Sequence, residues 1–178
     1  MKLYLARHGR TNYNDLRLCN ADPTVDVHLT SVGLEQANAL ANRFKEIRFE
    51  RIFVSELKRA QQTAIIINEF HDVPVEIAPL LNDHRSGFEG KSVDLLVNAL
   101  DASENKWTAR FNDGESIEDM KARVAAFLDQ LRAKPYDITL VVTSQWIIYA
   151  AVAIIRNVPN EEAWKLEVEP GSCLELNI

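Results

Sequence analysis

Cysteine is nearly absent from this chain. Cys19 and Cys173 are the only two in 178 residues. So distant a pair makes no disulfide framework, and neither has a partner at metal-ligand spacing, so no metal site is expected. None is needed at this length, because one ordinary core suffices. Long apolar runs are missing too. The longest, "WIIYAAVAII" over 146–155, is too short to span a bilayer and reads as a buried helix. No basic leader and apolar stretch precede the first strand, which sets the expectation of a cytoplasmic protein. Positive charge is the minority: 20 Lys and Arg face 26 Asp and Glu, a net charge of −6. That argues against nucleic acid and membrane as partners. Any bound anion must be held by a local cluster of arginines working against the overall field. Finally, no Gly-x-Gly-x-x-Gly follows the first strand and no Walker lysine loop occurs, which removes the nucleotide-binding readings.

What is present is regular. Four short apolar runs read as buried strands: "KLYLA" (2–6), "RIFV" (51–54), "VEIA" (75–78) and "ITLVV" (138–142). Separated by helical patterns, they predict a mostly parallel sheet covered on both faces. Leu34, Ala37, Leu40, Ala41, Phe44 and Ile47 recur at helical spacing. Ile117, Met120, Val124, Phe127, Leu128 and Leu131 repeat the pattern more cleanly, with Ser116 or Asp113 as the cap. A further helix is expected from about Leu57 to Phe70, and the tail "LEVEPGSCLELNI" reads as a hairpin around Pro170-Gly171. The segment 82–115 is the least regular and is expected over one end of the sheet. With no repeat and no shift in composition, residues 1–178 read as a single domain, a three-layer α/β/α sandwich.

In such sheets ligands bind beyond the carboxyl ends of the strands. The first strand is followed there by Arg7, His8, Gly9 (read as a flexible hinge), Thr11 and Asn14. The second is followed by Ser55 and Arg59, and the late strand by Thr143, Ser144 and Gln145. Two arginines and a histidine at one rim suit a phosphoryl group, since the planar guanidinium fork bonds phosphate oxygens in pairs and its charge is permanent.

The stretches "RHGRTNYN" (7–14), "LTSVGLEQA" (29–37) and "SELKRAQQTA" (55–64) resemble successive motifs of the histidine phosphatase, or phosphoglycerate mutase-like, superfamily. "NDGES" (112–116) and "EEAW" (161–164) extend the resemblance along the chain, and its short branch of α-ribazole phosphatase-like proteins is the nearest in style. The resemblance implies a phosphoglycerate mutase-like fold and a phosphomonoesterase that needs no metal and no cofactor. It makes His8 the nucleophile that forms a phosphohistidine, and Arg7, Arg59 and Asn14 the phosphate ligands. Gln145 joins them as a phosphate-binding candidate. The leaving-group acid should lie in "LLNDHRSGFEG" (80–90). The ungapped position is Asn82, Asp83 is the candidate, Glu89 reads as structural, and His84 and Arg85 are possible substrate contacts.

One departure matters. The family places His-Gly after the late strand, where this chain has Ser144 and Gln145, followed by Trp146. Serine carries no charge, and losing one preorganised donor costs roughly 10²–10³ in rate. Two readings therefore stand. One is a weakened phosphatase acting on a small phosphorylated substrate. The other is a pseudo-phosphatase that binds a phosphorylated ligand or phosphate ion without turnover. The oligomeric state is not legible.

Overall fold

The strands β1 (Lys2–Arg7), β2 (Arg51–Val54), β3 (Val75–Ile77) and β4 (Ile138–Thr143) run parallel, and β5 (Cys173–Asn177) lies antiparallel beside β1. This computed structural model describes residues 1–178, with the strands ordered β3-β2-β4-β1-β5. Seven α-helices accompany them: α1 (Asn12–Leu16), α2 (Ser31–Phe44), α3 (Lys58–Asn68), α4 (Val93–Asp101), α5 (Ile117–Arg132), α6 (Gln145–Arg156) and α7 (Asn160–Ala163).

The three-layer expectation holds. The inner strands are apolar at successive positions because both faces of the sheet are covered. Leu3, Leu5, Phe53 and Val141 join the side chains of α5 and α6 in a cluster of 23 buried residues. Tyr4, Ala6, Ile52, Val54, Leu140 and Val142 point the other way, onto α2 and α3, in a cluster of 13. In register, Leu5 pairs with Val141 and Val141 with Phe53, so the carboxyl ends of β1, β4 and β2 finish side by side.

Several expectations change. The tail is not a hairpin: only Cys173–Asn177 is a strand, and it pairs with β1 rather than with 166–170. Edge strand β3 is solvent-exposed along its length, so "VEIA" is not a buried strand. The segment 82–115 contains α4, capped by Ser92 and burying Leu96 and Leu100. Ser116, not Asp113, caps α5: its hydroxyl accepts from the Asp119 amide, and the Asp119 side chain accepts from the Ser116 amide. Gly9 is a point of close approach rather than a hinge. A Cβ there would stand 2.3 Å from the Gly33 carbonyl oxygen, so the loop after β1 packs directly on the start of α2. That contact fixes the direction in which the chain leaves the sheet.

Candidate active site

His8 follows β1 and its amide donates to the Thr143 carbonyl of β4 at 3.0 Å, which carries the sheet geometry one residue further. The side chain is only 3% exposed. Arg59, in the first turn of α3, donates from Nε to His8 Nε2 at 3.1 Å. A guanidinium N–H is always a donor, so Nε2 is an acceptor. His8 Nδ1 lies 2.8 Å from the Gly9 carbonyl and therefore donates to it. These two partners admit only the neutral ring. Burial, then Arg59 and Arg7, push the His8 pKa well below its usual value, while the Gly9 carbonyl opposes them.

Arg59 is the hub of the site. It is 4% exposed, and besides His8 its fork bonds the Asn20 side-chain oxygen at 2.8 Å, the Asn20 carbonyl at 2.9 Å and Asp83 at 3.1 Å. Arg7 is anchored by donating to the Val168 carbonyl at 2.6 Å, while its buried Nε has no partner within the protein. Asn14 holds α1 in place: its Oδ1 accepts from the Thr11 amide, and the Thr11 hydroxyl accepts from the Asn14 amide. Arg7, His8, Asn14, Arg59, Asp83 and Gln145 all line one cavity of about 140 Å³. Residues expected at one rim from separate motifs thus meet in one place.

Two candidates sit differently from a simple reading of the chain. Ser144 is 1% exposed and is absent from the cavity wall. As the N-cap of α6 it makes no capping bond with its hydroxyl, which lies 3.4 Å from Arg59 Nη2. Gln145 faces the cavity, but its amide nitrogen donates to the Tyr149 hydroxyl, which donates in turn to the Leu166 carbonyl at 3.0 Å. The first two residues of α6, Gln145 and Trp146, line the cavity, and a helix N-terminus favours an anion.

Asp83 stands at a junction. It lines the small cavity and also a neighbouring one of about 470 Å³ that includes Asn82, Arg85, Glu89, Glu115 and Arg123. Its two oxygens accept from Arg59 and from the His84 amide. Asn82 is turned away, bonding the amide and carboxylate of Glu56. Glu89 accepts from the Ala21 amide at 2.7 Å, and burial raises its pKa.

Sequence reasoning missed two organisers, Asn20 and Arg123, and of Trp146, which it singled out beside Ser144 and Gln145, it missed the stacking partner. Asn20 sits in a loop with no periodicity and is recognisable only from its two bonds to Arg59. Arg123, on α5, donates to the carbonyls of Leu80 (2.6 Å) and Asp83 (3.0 Å) and pairs with Glu115 at 2.8 Å. It holds the loop that presents Asp83 and His84. Trp146 stacks on His84 with ring centroids 4.9 Å apart and planes 9° from parallel. No group of three or more His, Cys, Asp or Glu side chains converges as a metal site, and no helix is long and apolar enough to cross a membrane.

Comparison with known proteins fits this geometry. The adenosylcobalamin/alpha-ribazole phosphatase of Escherichia coli K12 is 30% identical over 99% of this chain and 91% of its own length. The crystal structure of the alpha-ribazole phosphatase from Shigella flexneri superposes with a TM-score of 0.86 at 30% identity, covering 100% of this chain and 91% of that one. The fructose-2,6-bisphosphatase TIGAR B of Danio rerio is 35% identical over 72% of this chain and 52% of its own. Residues 3–178 match the histidine phosphatase superfamily, branch 1, and the chain belongs to that family.

Proposed function

We propose that this protein is a metal-independent phosphomonoesterase that works through a phosphohistidine at His8, slowed because the usual second histidine is Ser144. The observation that carries the reading is the neutral His8 ring, whose Nε2 lone pair is held by Arg59 in a cavity that also presents Arg7 and Asn14. When a phosphoryl group enters, the two arginines turn their donors to its oxygens, as guanidinium forks favour. Nε2 then attacks phosphorus, the bond to the leaving oxygen breaks, and that oxygen takes a proton. Water next attacks the phosphohistidine, the P–N bond breaks, and water's proton goes to the group that gave the first. Asp83, between the small cavity and the larger one that admits a leaving group, is the proton carrier in this reading. The relatives' names, alpha-ribazole phosphatases among them, support a small phosphorylated substrate.

A second reading, a phosphoryl-binding protein without turnover, is favoured by two features. Ser144 is uncharged and lies behind Arg59, and both Asp83 oxygens are already engaged as acceptors. Hydrolysis of an aryl phosphate separates the two. We expect activity that disappears in His8→Ala and rises roughly 100-fold in Ser144→His, the size of one restored donor. Activity no higher than that of His8→Ala selects the binding protein.

A further inference from the structure

His84 is a titratable side chain of the cavity to which the proposed chemistry gives no task. The ring is 8% exposed and lines the same wall as Arg7, His8, Arg59 and Asp83. Its Nε2 donates to the Glu115 carbonyl at 2.9 Å, so in the neutral ring the lone pair sits on Nδ1. That Nδ1 is buried and has no partner. An orphaned buried acceptor is unfavourable by itself, and facing a phosphoryl oxyanion it would be repelled. A proton on Nδ1 removes both penalties and turns the orphan into a charged donor.

We infer that His84 takes up a proton when a phosphoryl group enters the cavity and donates from Nδ1 to a phosphoryl oxygen, supplying the second cationic donor that Ser144 does not. This inference rests on the phosphoryl-binding reading of the site. The surroundings suit such a switch. Burial lowers the His84 pKa, which favours the neutral ring. Asp83 beside it and Glu115 ahead of α5 favour the cation, whereas Arg123 on α5 opposes it. Arg7 and Arg59 share the cavity and also oppose it until the ligand's charge offsets theirs. Cys19, also on the wall, is pushed up to about 11 by burial and stays neutral. From α6, Trp146 lies flat on the ring, and an aromatic face favours an imidazolium over an imidazole. The chain thus pairs the loss of a histidine at 144 with a tryptophan two residues later that supports a different one.

The test is nitrogen NMR of the wild-type chain with 15N-labelled histidine, titrated with inorganic phosphate at neutral pH. The chain's four histidines are few enough to assign, His84 through the spectrum of His84→Gln. We expect His84 Nδ1 to pass from unprotonated to protonated as phosphate saturates, with His8 shifting while remaining neutral. We also expect His84→Gln to bind phosphate about tenfold more weakly at slightly acidic pH, the difference closing as pH rises. If His8 responds to phosphate and His84 Nδ1 stays unprotonated, the inference falls and the phosphoryl-binding reading survives. If neither histidine responds, no phosphoryl group enters the cavity and both fall.

Discussion

At the scale of single residues, the site depends on buried groups held in one protonation state. His8 is neutral when folded because burial and Arg59 depress its pKa, whereas in the unfolded chain it titrates near 6.5. Below that value the unfolded state binds a proton that the folded state refuses. Stability contributed by His8 is therefore intact above about pH 6.5 and falls as pH drops, with a slope of about 1.4 kcal/mol per pH unit. Denaturant midpoints between about pH 7 and about pH 5 should fall less steeply in His8→Asn, which keeps an acceptor for Arg59 and loses the titration. Equal slopes would mean that the native ring is protonated, and with it the nucleophile assignment would go. Asn20 offers a complementary check. It fixes two of Arg59's donors, one through its side-chain oxygen and one through its carbonyl, and Asn20→Ala removes the first, so the variant should weaken phosphate binding about tenfold by loosening the fork. Calorimetry would show an unchanged affinity if Asn20 were mere loop.

At the scale of elements, two helices begin with serine and use it differently. Ser116 closes a reciprocal box at the start of α5, whereas Ser144, at the start of α6, leaves its helix uncapped and turns its hydroxyl toward Arg59. Ser116→Ala should cost about 1 kcal/mol in urea unfolding, as N-cap losses usually do. Ser144→Ala should cost clearly less, and similar losses would contradict the view that Ser144 serves the site rather than its helix. The same elements explain what the sequence disclosed. Strands β1, β2 and β4 were legible because burial on both faces forces unbroken apolar runs, and α5 because its apolar face is strictly periodic. Edge strand β3 has the same residue types without the burial, and β5 shows no partner until β1 is in place. Arg7, His8 and Arg59 were legible because they stand at strand ends and in the first turn after one. Asn20 and Arg123 act through loops and helix faces far apart in sequence, so no local pattern announces them, and Trp146 stands out beside Ser144 without its stacking partner His84 being legible.

At the scale of the whole molecule, the proposal that residues 1–178 form one domain has a direct consequence. The sheet has two separate apolar faces, and all three tryptophans, Trp107, Trp146 and Trp164, pack against the cluster on the α5 and α6 side. Phe44 belongs to the opposite cluster, fully buried and edge-on to Tyr4 and Phe49. The strands between the two are shared, since neighbouring residues of β1 and β4 point to alternate faces. Removing Phe44 therefore weakens the strands on which the tryptophan side is built. Phe44→Ala should cost about 3–5 kcal/mol. In one cooperative unit that loss moves the tryptophan fluorescence transition and the far-ultraviolet dichroism transition together. A fluorescence midpoint that stayed in place while dichroism shifted would mean two units meeting at the sheet. Cooperativity across the sheet also bears on the site, because His8 directly follows β1, Arg59 comes from α3 on the Phe44 side, and Trp146 from α6 on the tryptophan side. A cavity assembled from both faces persists only while the two faces fold as one.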